Sequence, residues 1–155
     1  MSIYQGATTS FKVQLAQGLH NFGPTSPNTF YIALYTANAA LSNATTVYTS
    51  VGEVSGSGYT PGGQILTITQ TPTSGTSGTT AYWSFANAIW NPAAFTARGA
   101  LIYNSSQNNA SVCVLDFGSD ITCANSFTVQ FPTSTNTTAI PVSYTHLTLP
   151  TIYSV

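Results

Sequence analysis

Residues 98–117 decide how this chain folds: Arg98-Gly99-Ala100-Leu101-Ile102-Tyr103, then Asn104-Ser105-Ser106-Gln107-Asn108-Asn109, then, after Ala110, Ser111-Val112-Cys113-Val114-Leu115-Asp116-Phe117. Two apolar runs flank a segment of small polar residues, and Asn is the residue type that most readily accepts the left-handed backbone of a tight turn. The stretch therefore predicts an antiparallel hairpin. Working back from it, Ala81, Trp83 and Phe85 alternate with Tyr82 and Ser84, as in a strand with one buried face. Residues 87–92 read as a turn. Residues 64–70 alternate with Leu66 and Ile68 inward, and residues 72–78 read as a flexible Thr/Ser/Gly turn. The run at residues 29–35 puts Phe30, Ile32 and Leu34 on one face and Tyr31, Ala33 and Tyr35 on the other. Both faces are apolar, so the helix is expected over one and a second sheet over the other.

Beyond the hairpin, Asp120-Ile121-Thr122-Cys123-Ala124-Asn125 reads as a turn. Phe127, Val129 and Phe131 mark the last complete strand, and Ala139 and Ile140 begin another. At the N-terminal end, Phe11, Leu15, Leu19 and Phe22 recur at helical spacing, with Thr8, Thr9 or Ser10 as caps and Gly23-Pro24 as the stop. A helix over residues 9–22 is expected. One helix followed by about seven short strands predicts a mainly β protein, an antiparallel β-sandwich with one N-terminal helix.

Only 3% of residues are charged, against about a quarter in ordinary soluble domains. Lys12 and Arg98 are the only cations, too few for the phosphate neutralisation that a nucleic-acid partner demands. No apolar run approaches the roughly 20 residues needed to span a bilayer, and the first residues carry no secretory signal pattern. Neither nucleic acid nor membrane is expected as a partner. Cys113 and Cys123 are read as free thiols, and two Cys with one His in the domain do not make a metal site. No cofactor is expected. An enzyme is not expected either, because His20, the one His before the C-terminal tail, and three acids supply no combination of base, nucleophile and orienting group.

The C-terminal residues read differently from the rest. Val142-Ser143-Tyr144-Thr145-His146-Leu147-Thr148-Leu149-Pro150-Thr151 reproduces, letter for letter, one frame of the DNA adapter used in transposase-based sequencing libraries, and that frame runs through an index to a stop after Val155. The expectation is a single domain over residues 1–140 and an adapter-derived tail over residues 141–155, in a sequence assembled from metagenomic reads.

Four segments taken in order carry a resemblance: Phe30-Tyr31-Ile32-Ala33-Leu34-Tyr35; Glu53-Val54-Ser55-Gly56-Ser57-Gly58-Tyr59-Thr60-Pro61-Gly62-Gly63; Phe95-Thr96-Ala97-Arg98-Gly99-Ala100-Leu101-Ile102-Tyr103-Asn104; and Val114-Leu115-Asp116-Phe117-Gly118. Together they resemble a family of small tailed-bacteriophage proteins described as virion structural proteins. The resemblance implies a head-decoration or tail-associated subunit, assembled in the host bacterial cytoplasm and located in the virion. Joined to a surface poor in charge and an edge strand at the C-terminus open to pairing, it leads to the expectation of a homo-oligomer, a trimer first, in contact with other virion proteins. It carries over no catalytic or ligand residue.

Among individual residues, Arg98 is the only charge in an apolar strand and calls for a carboxylate partner, which Asp116 or Glu53 would supply. Tyr48, Tyr59, Trp83 and Trp90 would form the aromatic platform if the domain were instead a carbohydrate-binding module taking a surface glycan. Gly56 to Gly63 lacks the Lys and following helix of a phosphate loop and reads as a cluster of β-turns. Asp116-Phe117-Gly118 lacks every other kinase element and reads as a strand end. His20 reads as a histidine on the helix surface or at its C-terminal end.

Overall fold

The computed structural model describes residues 2–75, 81–132 and 140–142. In chain order the elements are β1 (Gly6–Ala7), α1 (Thr9–Ala16), β2 (Phe30–Tyr35), β3 (Gln64–Leu66), β4 (Ile68–Ser74), β5 (Ala81–Phe85), β6 (Ala88–Trp90), β7 (Phe95–Asn104), β8 (Ala110–Cys123), β9 (Phe127–Val129) and β10 (Ile140–Val142). All pairings between these strands are antiparallel. They form a large sheet in the order β1-β8-β7-β2-β3 and two smaller ones, β10-β5-β4 and β6-β9. The protein is mainly β and sandwich-like, with one helix.

The hairpin β7–β8 is the spine of the large sheet. Its turn is a short 3-10 segment, Ser105–Gln107, in which the buried Asn104 side chain accepts from Ser106 N at 3.0 Å. Asn108 and Asn109 then take left-handed φ values of 52° and 58°, a backbone that Asn tolerates better than most residues.

The inner face of the large sheet contributes Phe30, Ile32, Leu34, Ala100, Ile102 and Leu115 to the main core. Trp83 and Phe85 of β5, together with Trp90, Phe127 and Val129 of the β6–β9 pair, close it from the other side. Phe11 of α1 and Phe22 enter the same core: the Phe22 ring stacks on Phe30 at 4.4 Å and lies 4.5 Å from Trp83. Helix and second sheets therefore share one side of the large sheet, and the expectation that they cover opposite faces is corrected. The outer face, with Ala33, Tyr35, Leu101, Tyr103 and Val114, is covered by Ile3 from the N-terminal segment and by Ala39 and Leu41 from the long β2–β3 connection.

Several boundaries also differ from expectation. Helix α1 ends at Ala16 rather than near residue 22, because Gly18 adopts a left-handed φ of 74° that closes the helix. Phe22 mimics the helical period but reaches the core from a loop, while Leu19 is exposed. The expected turn at residues 87–92 contains β6, whose Ala88 and Trp90 face inward. The β8 strand continues through Cys123, the expected turn position, by pairing Ile121, Thr122 and Cys123 with Ala97, Thr96 and Phe95. The 64–70 alternation splits into β3 and β4, and β4 runs on to Ser74 inside the expected turn at 72–78, whose last residues lie outside the described ones. Strand β10 pairs Ile140, Pro141 and Val142 with Trp83, Tyr82 and Ala81. The tail expected to be adapter-derived otherwise lies outside the described residues. Among the described residues, no helix is long and apolar enough to cross a membrane.

Candidate functional site

Ionisable and aromatic chemistry gathers at two places on the outer face of the large sheet. The first is built around Glu53. Strand β3 covers only the first half of β2, and residues 52–54 of the connection run beside the second half: Thr36 N donates to Gly52 O, Val54 N donates to Leu34 O, and Glu53 bridges Tyr35. From there the Glu53 carboxylate accepts from Tyr59 Oη at 2.6 Å and Gly62 N at 2.7 Å through Oε1, and from Tyr48 Oη at 2.7 Å through Oε2. The Tyr59 hydroxyl in turn accepts from Leu34 N at 2.9 Å, so a side chain does what a neighbouring strand would otherwise do. Tyr103 donates to Gly62 O at 2.8 Å, and its ring stacks between Tyr48 at 4.8 Å and Tyr31 at 5.7 Å.

Two glycines make the close approach feasible. A Cβ on Gly63, φ 78°, would overlap the Ile32 carbonyl oxygen, and one on Gly58, φ 82°, would overlap that of Pro92. Burial first, then the hydrogen bond to Glu53, raises the Tyr59 and Tyr48 phenols above the usual tyrosine range; burial, then the Glu53 charge, does the same for Tyr35. The same causes push Tyr103 up to about 12. The phenols of Tyr35, Tyr48, Tyr59 and Tyr103 are held protonated, and both carboxylate oxygens accept hydrogen bonds. The cluster fastens the Gly-rich loop to the sheet edge through three hydrogen bonds to the Glu53 carboxylate.

The second place is the Arg98–Asp116 pair. A register irregularity between Ala97 and Gly99 interrupts the β7–β8 ladder and sets Arg98 at the rim, with Gly99 opposite Asp116. Arg98 Nε lies 3.4 Å from Asp116 Oδ1, and the two side chains are 34% and 27% exposed. Glu53 is not the partner: its oxygens are taken by the tyrosines and Gly62. The expectation of an apolar environment around Arg98 is corrected too, since a pair this exposed contributes only about 0–1 kcal/mol. Asp116 is positioned by its neighbours: Oδ1 also accepts from Gly118 N at 2.9 Å, and its backbone N donates to Gln5 Oε1 at 3.2 Å. Ser2, Ile3, Tyr4 and Ala37 join the pair around a cleft of about 280 Å³.

The expected aromatic platform does not assemble. Tyr59, Trp83 and Trp90 are buried at 9%, 3% and 5% exposure, and only Tyr48 is half-exposed. Trp83 packs on Phe22 and Phe11, whereas Trp90 packs near Tyr59 and Phe127, so these rings are divided among core contacts rather than aligned at a surface. Tyr4, not singled out from sequence, is 65% exposed, and Tyr31 is partly exposed on the outer face. Tyr31 was legible as an outward residue of its strand; Tyr103 becomes its neighbour only through the β2–β7 register.

His20 is likewise corrected. It lies beyond the helix and is buried, its ring 4.9 Å from Phe11, with Nδ1 accepting from Asn104 Nδ2 at 3.0 Å and Nε2 donating to Gln14 Oε1 at 2.9 Å. Burial lowers its pKa. Cys113 and Cys123 are free and buried, and burial pushes the Cys113 thiol up to about 12. Among the described residues, no group of three or more His, Cys, Asp or Glu is placed to hold a metal ion. No protein-family model, curated protein or solved structure matches this chain.

Proposed function

We propose that this chain is a structural subunit of a bacteriophage particle, head-decorating or tail-associated, that works by packing against copies of itself and other virion proteins. The observation that carries the reading is the character of its outer face. Ile65 on the edge strand β3 is 58% exposed beside Tyr31, and Val47, next to Tyr48, is 49% exposed. With 3% charged residues, copies meet little electrostatic repulsion, and short edge strands offer backbone pairing. The ordered resemblance of four sequence segments to phage structural proteins points the same way.

Light scattering on the purified chain tests the reading. A closed oligomer is expected, with three times the 16.2 kDa chain mass as the first expectation. A strict monomer at micromolar concentration overturns it. The rival reading, a glycan module built on Tyr48, Tyr59, Trp83 and Trp90, loses its platform because three of those rings are buried.

A further inference from the structure

We propose that the cleft beside Arg98 and Asp116 binds a neutral polyol, a single pyranose ring presenting neighbouring hydroxyls. Arg98 spends only Nε on Asp116, and its two Nη groups bond no other described residue. Asp116 spends only Oδ1, on Arg98 and Gly118 N. A fork of N–H donors and a carboxylate acceptor thus stand side by side at one wall. An anion alone would meet the Asp116 charge, and a cation alone would meet Arg98. A pair of neighbouring hydroxyls both accepts and donates, so it satisfies the two groups together without bringing a net charge into the cleft.

The rest of the cleft fits the same ligand. Tyr4 is 65% exposed and forms part of the wall, offering an aromatic surface to the C–H face of a sugar ring. About 280 Å³ lies at the small end of ligand pockets, a space for one ring and not for a chain of them. Both walls are held by backbone: Tyr4 N donates to Leu41 O at 2.8 Å, Leu41 N donates to Ser2 O at 3.2 Å, and β1 pairs with β8 at Gly6 and Val114. Little ordering cost remains for the ligand to meet. The lining of the cleft comes from one copy of the chain alone.

The experiment is an isotope-edited NMR titration of the full chain with D-galactose, D-glucose, D-mannose and N-acetyl-D-glucosamine at millimolar concentration. At least one sugar is expected to give saturable shifts at the amides of Ile3, Tyr4, Gln5, Ala37 and Gly99. Tyr4→Ala should weaken binding roughly tenfold and Tyr4→Phe should not. Arg98→Lys, which keeps the charge but loses the fork, should weaken it by a similar factor. Tyr4 is exposed, so a native-like spectrum for its variants separates lost binding from lost folding. The proposal is overturned if no sugar gives saturable shifts, if Tyr4→Ala leaves them unchanged, or if L-alanine, carrying carboxylate and ammonium, fills the cleft where the sugars do not.

Discussion

Replacing Glu53 by Ala removes an acceptor that serves Tyr48, Tyr59 and Gly62 at 2.7, 2.6 and 2.7 Å. A hydrogen bond to a charged group contributes about 1.5–3 kcal/mol net, so the three together are worth roughly 5–9 kcal/mol before any relaxation. Part of that is offset, because the carboxylate regains no burial penalty once deleted and the half-buried Tyr48 hydroxyl can turn to water. A net loss of about 4 kcal/mol is expected for Glu53→Ala, a large share of the 5–15 kcal/mol typical of a whole domain. Glu53→Gln is the milder change: its amide oxygen can still accept from Tyr59 and Gly62 while its N–H₂ donates to Tyr48, leaving about 2 kcal/mol of lost charge assistance. Urea unfolding followed by tyrosine and tryptophan fluorescence reads both, provided the slope with denaturant is unchanged. If Glu53→Ala unfolds within about 1 kcal/mol of the native chain, the carboxylate does not fasten the loop and this reading of the cluster is wrong.

The buried phenols Tyr35, Tyr59 and Tyr103 have raised folded pKa values, about 12 for Tyr103. Their stabilisation is complete below the unfolded value of about 10 and is lost above it at roughly 4 kcal/mol per pH unit. A cooperative step of phenolate absorbance should therefore coincide with loss of near-UV circular dichroism, and the absence of any such step would contradict this. Neutral His20 contributes in the opposite direction: its folded pKa is lowered, so its share of stability is present above about 6.5 and is lost as pH falls through the folded value. The acid limb of thermal stability should flatten in His20→Phe. Gly63→Ala places a methyl group on the Ile32 carbonyl in a left-handed backbone, and should cost about 3 kcal/mol or more in thermal or urea unfolding. Arg98→Met should cost less than about 1 kcal/mol in the same assay, because the ion pair it breaks is solvated.

The hairpin could be read from sequence because its signals are local: two apolar runs and an Asn-rich turn whose residues take the left-handed backbone they favour. Arg98's partner was not decidable from sequence, since choosing Asp116 over Glu53 depends on the register irregularity after Ala97. The aromatic platform failed for a reason already visible in the alternation. Trp83 and Phe85 share one face of an alternating strand, and a ring packed on its buried face cannot also stack on a ligand at the surface. The helix is shorter than its apolar spacing suggests because Phe22 continues the helical period by coincidence, while Gly18, the residue that stops it, stands four residues earlier. Nothing in the Gly-rich segment from Glu53 to Gly63 announces that a carboxylate and a phenol there will meet, because their meeting depends on positive φ angles at Gly58, Gly62 and Gly63.

The Tyr59 hydroxyl on Leu34 N also determines how this molecule can grow. Half of one rim of the large sheet is sealed by the chain's own loop, and the unsealed half, β3, is three residues long. A chain with almost no charge to keep copies apart is otherwise a candidate for endless strand-on-strand stacking. With Leu34 N taken by the phenol and residues 52–54 lying alongside, that stretch of β2 offers no bare backbone to a neighbouring strand, and pairing at this rim is confined to β3.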